Sequence, residues 1–372
     1  MARSSMKKQT VKPVKGYLEI LDRGFGFLRS IKNNFKPDRE DTFVPLGMVK
    51  RFRLSEGVFI EGSGTKSDGK KGNVKLDAID KINGLSPDAY SEISSLKNSI
   101  SINPSERLIL TQTPDDLMGK ALDIIVPVGK GQRGLIISPP KSGKTTILKH
   151  MANSIVANHP DVKVFILLVD ERPEEVTDFR RGVENAHVLA SSADQSISDH
   201  LRMARLTMNV ATRYAETGHD AVVLIDSLTR LSRAFNSKTQ SHGRTLSGGL
   251  GANTMEMPRR FFGAARDIED GGSLTIIATI LVDTGSRMDD VIFQEFKGTG
   301  NMDLALSRKC AQERVWPAIN INQSGTRKEH LLLCPEELSE VIQIRRDLSR
   351  LDETRAMSAL LEHLGNPDPF GI

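Results

Sequence analysis

The stretch Gly134-Leu-Ile-Ile-Ser138-Pro-Pro-Lys141-Ser142-Gly143-Lys144-Thr145-Thr146 decides how this chain is read. An apolar run suited to a buried strand leads into a tight loop, and an amphipathic helix follows from the threonines. A phosphate-binding P-loop requires that context. Backbone N–H groups at a helix N-terminus surround phosphate oxygens, and the helix dipole favours their charge. In such a loop Lys144 reaches the terminal phosphates of ATP and the Thr145 hydroxyl binds Mg²⁺. One position departs from G-x-x-x-x-G-K-[ST]: Ser138 stands where the first glycine belongs. The alternative, a chance Gly-Lys-Thr turn, is outweighed by the strand before it and by an acid downstream.

That acid is Asp226, at the end of the apolar run Ala221-Val-Val-Leu-Ile-Asp226. It is placed as the second acid that reaches the Mg²⁺ of a P-loop site. A further run, 164–169, ends in Asp170-Glu171-Arg172. Carboxyl ends of strands are where ligands bind in open α/β sheets, so Glu171 is placed to orient or deprotonate a water. From the residues alone a plain surface acid fits Glu171 equally well.

Strands are expected at 135–137, 162–169, 221–225 and 274–281, as continuous apolar runs buried on both faces. Between them Leu201, Ala204, Met208, Ala211 and Ala215 recur at helical spacing, with Gly218 as the C-terminal cap. The fold class is therefore α/β from residue 116 to 372, a parallel sheet with crossover helices.

Ahead of it the pattern differs. Residues 1–15 read as a basic flexible arm. Short β-like segments at 17–21, 26–30, 42–45, 58–61 and 74–82 then fit a small all-β barrel of the OB or cold-shock kind over residues 16–83. Residues 84–115, rich in Pro and Ser, read as a linker that buries Leu96, Ile100, Ile102 and 108–110.

Within the barrel lies Arg23-Gly24-Phe25-Gly26-Phe27-Leu28-Arg29, close to the RNP1 pattern. Phe25 and Phe27 share one face of a strand, and the glycines between them leave that face open for bases to stack. Arg29 is expected to hold phosphates. Core aromatics are seldom spaced by glycines in a basic stretch, which favours stacking over burial. Phe43 would extend the surface, and Phe52 fits core equally well.

Charge agrees without deciding the matter. The chain of 372 residues carries a net +4, and residues 1–85 hold 18 Lys and Arg against 10 Asp and Glu. A basic front facing a polyanion and a merely solvated basic face are evenly matched readings. No apolar run approaches a membrane span and no signal-like segment opens the chain. Two well-separated cysteines, Cys310 and Cys334, suit reduced thiols in the cytoplasm.

The order of barrel, P-loop, Asp170-Glu-Arg-Pro-Glu-Glu-Val176 and Asp226-Ser-Leu-Thr-Arg230 resembles the Rho family of bacterial transcription termination factors. So do Gly129-Lys-Gly-Gln-Arg-Gly134, Lys297-Gly-Thr-Gly-Asn-Met302 and Ser324-Gly-Thr-Arg-Lys328. The likeness runs from about Gly16 to the C-terminus. It implies a RecA-like fold and an ATP-driven RNA translocase that terminates transcription as a homohexameric ring. Pyrimidine-rich single-stranded RNA and the RNA polymerase elongation complex are the implied partners.

The resemblance also implies roles for residues. Gly129, Lys130, Gly131, Gln132, Arg133, Gly134, Lys141, Ser142, Gly143, Lys144, Thr145, Thr146 and Arg172 would line the ATP pocket. Trp316 would pack near the adenine. Glu171 becomes the catalytic base, and Arg327 an arginine finger for the neighbouring subunit with Arg314 assisting. The primary RNA site would use Gly24, Phe25, Gly26, Phe27, Leu28, Arg29, Asp41, Thr42, Phe43, Lys71, Gly72 and Asn73. Two channel loops would grip RNA through Thr245, Leu246, Ser247, Gly248, Gly249 and Arg287. Rho proteins usually carry a helical subdomain ahead of the barrel, and here only a short arm precedes it. Other ring motors, such as a DNA helicase or a rotary synthase subunit, and a non-catalytic RNA-binding module are the rival readings. The RNP1 face argues against the synthase, and intact Lys144, Glu171, Asp226 and Arg327 against the inactive module.

Overall fold

A computed structural model describes residues 11–66, 73–239 and 254–365. Strands β1 (Val11–Ile20), β2 (Gly26–Arg29), β3 (Thr42–Val44), β4 (Phe59–Lys66) and β5 (Val74–Ile82) close into a barrel in the order β1-β2-β3-β5-β4. Leu18, Leu28, Val44, Ile60, Leu76 and Ile82 fill it. Gly62 and Gly64 face inward where β4 crosses β5, and a Cβ there would lie 2.1 Å from the Ala78 carbonyl and 2.3 Å from that of Lys75. The barrel closes at that crossing because no side chain is present.

β1 begins inside the segment read as an arm. Val11 pairs with Thr65 and Gly16 with Ile60. Its first residues are mostly solvent-facing, so no apolar alternation marks them, and β4 makes them a strand.

Beyond the barrel come β6 (Ser101–Ile102), β7 (Arg107–Leu108), β8 (Val128–Gly129), β9 (Arg133–Ser138), β10 (Lys163–Glu171), β11 (His187–Ser192) and β12 (Ala221–Asp226). β13 (Arg266–Ile268), β14 (Ser273–Leu281), β15 (Met302–Ala305) and β16 (Gly325–Thr326) complete the strands. The main sheet runs β11-β10-β12-β14-β9-β15-β16, parallel from β11 to β15. All these parallel strands therefore end at one edge.

The helices are α1 (Leu46–Arg51), α2 (Pro87–Ser91), α3 (Leu117–Ile125), α4 (Lys144–Asn158), α5 (Pro173–Gly182), α6 (Ile197–Glu216) and α7 (Leu228–Thr239). Then follow α8 (Glu256–Phe262), α9 (Arg287–Phe296), α10 (Arg308–Gln312), α11 (Pro335–Leu348) and α12 (Glu353–Gly365). One face of the sheet is covered through Leu122, Leu148, Phe179 and Met357, the other through Leu206, Leu231, Phe262 and Phe296. α6 carries the expected stripe. Ser196 caps its start, and Gly218, at φ 84°, follows its end.

The linker is stitched down on both sides. β6 pairs with β13 and β7 with β8. Leu96, Leu108 and Leu110 are buried as expected, but Ile100, Ile102 and Ile109 are exposed.

The barrel docks on α6. Gly57 meets the Asn209 backbone so closely that a Cβ would be 2.6 Å away. Asn83 Nδ2 donates to the Arg213 carbonyl at 3.1 Å, and the Tyr17 and Tyr214 hydroxyls are 3.2 Å apart. Arg202 donates to both Glu19 oxygens at 2.5 Å and to the Phe35 carbonyl at 2.6 Å. Glu19 is buried and also accepts from Arg29 at 2.7 Å. One carboxylate thus holds a barrel cation and an α6 cation together. Among the described residues no helix is long and apolar enough to cross a membrane.

Candidate nucleotide and nucleic-acid sites

Residues 139–143 join the C-terminal end of β9 to α4. Gly143 has φ 86°, and a Cβ on it would lie 2.7 Å from Trp316 Cζ3. Glycine is required there both by conformation and by the indole packed against it. Ser138 Oγ lies 3.0 Å from Ser142 Oγ, which donates to the Pro139 carbonyl at 2.8 Å. The serine in place of the usual glycine therefore braces the loop from within.

Two carboxylates converge on this loop. Asp226 ends β12 and Glu171 ends β10, and both are fully buried. Lys144 Nζ is 2.6 Å from Asp226 Oδ2 and 3.6 Å from Glu171 Oε2. Thr279 Oγ1 donates to the other Asp226 oxygen at 2.9 Å. Arg230, on the first turn of α7, sits 3.0 Å from Glu171 Oε1 and donates to the Asp170 carbonyl. Asp170 has φ 55°, and the pairing of β10 with β11 shifts between Val169 and Glu171. A bulge of this kind re-aims a side chain, here turning Glu171 inward.

Burial pushes the Glu171 carboxyl above the usual carboxylate range, with Lys144 and Arg230 opposing and Asp226 adding to the rise. Its Oε2 is buried without a hydrogen-bond partner. An orphaned carboxylate oxygen beside a P-loop lysine suits an attacking water or the hydration shell of a cation. Asp226 and the Thr145 hydroxyl are hard oxygen donors of the type Mg²⁺ prefers. The residues fit the nucleotide and metal that the P-loop implies.

Thr146, Lys141 and Arg172 are exposed on the same rim. So is Arg314, two positions before Trp316.

Residues 129–134 do not line this pocket within the chain, contrary to expectation. They sit at and before the start of β9, whose last four residues, 135–138, intervene, so that even Gly134 is roughly 13 Å from the loop at ~3.3 Å per residue. There Gly131 N donates to Thr275 Oγ1 at 2.8 Å, Lys130 pairs with Asp220 at 2.8 Å, and Gln132 Nε2 donates to Asn301 Oδ1 at 2.7 Å. Gly129 and Gly134 are buried in the strands there.

Arg327 lies at that same far edge. Its backbone N–H donates to the Asn301 carbonyl at 2.8 Å, and it shares a cavity of about 360 Å³ with Arg133, Arg259 and Gly300. Arg314, at the P-loop edge, cannot assist Arg327 from the same chain.

On the barrel, Phe25, Phe27 and Phe43 form one aromatic surface. Ring centroids are 6.1 Å apart for Phe25–Phe27, 5.5 Å for Phe25–Phe43 and 5.7 Å for Phe27–Phe43. All three rings are half-exposed. The glycines serve the backbone: Gly24 has φ 82°, and a Cβ on Gly26 would lie 2.5 Å from the Glu19 carbonyl. Arg29 corrects the sequence reading. It is 6% exposed, paired with Glu19 and Asp41, and its guanidinium lies 4.9 Å from the Phe27 ring centre. Buried counter-charges engage it, so it backs the platform and is not presented to phosphate. Leu28 is core, Thr42 is buried, and Asn73 donates to the Asp41 carbonyl at 3.0 Å. Phe52 packs against the barrel core.

Arg287 is exposed at the start of α9, beyond the same sheet edge as the P-loop. Lys71, Gly72, Thr245, Leu246, Ser247, Gly248 and Gly249 lie outside the described residues. Arg230, Glu19 and Arg202 were not singled out from sequence. Arg230 carried a signal, since a cation on the first turn after a strand-end acid faces back over that edge.

A model of the Rho termination factor RNA-binding domain matches residues 14–88, and one of the ATP synthase alpha/beta family nucleotide-binding domain matches residues 119–326. The transcription termination factor Rho of Aquifex aeolicus is 46% identical over 365 residues, covering 97% of this chain and 84% of that protein. This chain belongs to the Rho family. The Rho of Haemophilus influenzae is 46% identical over 352 residues, 94% of this chain and 84% of its own. Among solved structures, an ATPase of the type III secretion system of pathogenic bacteria aligns with a TM-score of 0.60 at 21% identity. It covers 79% of this chain and 89% of that one, a likeness of fold alone. The Rho-family barrel is an RNA-binding domain and the sheet domain an ATP-binding one, so the chain is an RNA-binding ATPase.

Proposed function

We propose that this Rho-family chain translocates along nascent, pyrimidine-rich single-stranded RNA at the expense of ATP and terminates transcription. The observation that carries the reading is mechanical. The aromatic platform is fixed through Arg29, Glu19 and Arg202 to α6, and α6 packs on the strands that end in Glu171 and Asp226.

In this reading Lys141, Ser142, Gly143, Lys144, Thr145 and Thr146 cradle the triphosphate, with Arg172 at the rim and Trp316 beside the adenine. Lys144 meets the terminal phosphate charge. Glu171 accepts the proton of the attacking water, and Arg230 holds its other oxygen in place. Mg²⁺ held by Thr145, and by Asp226 through water, would supply further charge neutralisation.

Six subunits form a ring. Because Arg327 and the P-loop occupy opposite ends of β9, a head-to-tail contact presents Arg327 to a neighbour's triphosphate, and Arg133 and residues 129–134 with it. Arg287 faces the ring channel and grips RNA, and the RNA polymerase elongation complex in the cytoplasm is the target. The test is the ATPase rate with poly(C), with single-stranded DNA and with neither. Strong stimulation by poly(C) alone is expected. Equal stimulation by DNA, or none by either, would refute it.

A further inference from the structure

Beside the platform, a cavity of about 760 Å³ opens at the seam between the barrel and α6. Its walls carry Arg23, Arg29, Arg202, Arg205 and Lys238 against only two carboxylates, Glu19 and Asp22. The cavity therefore has a net charge of +3 in a chain whose total is +4. Docking the two domains accounts for part of this charge: Glu19 takes up Arg29 and Arg202. It does not account for Arg23, which is exposed and has no ion-pair partner among the described residues. Arg205, whose side chain is 42% exposed, pairs with Glu56 at 3.4 Å and with Glu19 at 3.8 Å.

Phe25 lines this cavity and also belongs to the aromatic platform. A second cavity of about 370 Å³ shares Arg205 and Met257 with it and continues along α6. That cavity adds Lys97 and Arg260, both exposed and without ion pairs among the described residues, while its carboxylates Glu56 and Glu216 are taken up by Arg205 and Arg213. Arg23, Lys97 and Arg260 thus form a track of cations that starts beside a stacking ring.

We propose that this seam binds the phosphodiester backbone of single-stranded RNA directly beyond the bases stacked on Phe25, Phe27 and Phe43. The inference rests on the RNA reading above and extends it from the platform to the junction of the domains. A strand held there touches the barrel and α6 at once. Such a groove combines cations that follow the backbone with an aromatic edge for one base.

The experiment uses the full chain and two oligocytidylates, a dinucleotide that fits the platform and a strand of roughly ten nucleotides that reaches the seam. Arg23→Glu and Arg23→Ala with Arg260→Gln, neither of which removes a docking pair, are compared with the parent. The long strand should bind both variants at least ~tenfold more weakly, and the double variant should show a shallower salt dependence by about one to two contacts. Dinucleotide binding and thermal unfolding should not change. Unchanged affinity and salt slope for the long strand would overturn the proposal, as would equal losses for both lengths. Failure of the parent to bind either RNA would instead overturn the RNA reading itself.

Discussion

Arg230 stands 3.0 Å from one oxygen of Glu171, and Lys144 stands 3.6 Å from the other. The carboxylate is fully buried yet bracketed by two cations. Burial raises its proton affinity and the two cations oppose that rise, the environment of a tuned general base. Glu171→Gln preserves shape and removes the base. ATP should bind with near-normal affinity while turnover falls ~10²-fold or more. Arg230→Ala should move the acidic limb of the rate–pH profile to higher pH, because one of the charges favouring ionisation is gone. Near-normal turnover in Glu171→Gln would assign the base elsewhere.

The platform makes a separate prediction. Base–aromatic stacking contributes ~1–3 kcal/mol per base, so Phe25→Ala with Phe27→Ala should weaken RNA binding at least tenfold. ATP affinity should survive. If the variant binds RNA normally and the barrel melts, the rings serve as core.

Arg327 and Lys144 lie at opposite ends of β9, and this gives a mixing test. Arg327→Ala subunits keep a P-loop, and Lys144→Ala subunits keep an arginine. Each should be nearly inactive alone, since such fingers contribute ~10³–10⁵ in rate. Mixed assemblies should regain activity where an intact arginine faces an intact P-loop. Mixed assemblies that form but stay inactive would make Arg327 a residue of its own domain.

Stability should depend on pH through Asp267. Burial, with Asp220 nearby, raises its carboxyl from 3.8 to about 6. A carboxyl with a raised folded-state pKa is most favourable when protonated. Its contribution is therefore present at low pH and lost as pH rises from about 4 to about 6. Asp267→Asn should raise the melting temperature at pH 7.5, by a margin worth about 1 kcal/mol after solvent screening. At pH 4 the advantage should vanish. An equal gain at both pH values would trace the effect to packing.

Much of the site was legible because its chemistry is local in sequence. Lys144 and Thr145 lie in one loop, and Asp226 and Glu171 each end an apolar run, so reading each strand to its end located the acids. What was not legible depends on distance. Arg29 looked free because Glu19 and Asp41, which bury its charge, belong to other strands. Residues 129–134 were placed in the pocket by the family resemblance alone, whereas an extended strand carries them to the far edge. Similarly, β1 before Gly16 and the short strands β15 and β16 owe their form to their partners. Their own residues show no period.

Barrel closure has a consequence for what the chain recognises. With β1 through β5 joined in a complete circuit, the described barrel strands leave no open edge as a template for an incoming strand. A peptide or another copy does not attach to them by extending the barrel sheet. Bases must be read there by side chains, and the platform offers them three phenyl rings, which meet every base through the same π-face. Broad tolerance of sequence is thus built into the architecture, and any preference among bases has to arise at the rim of the platform.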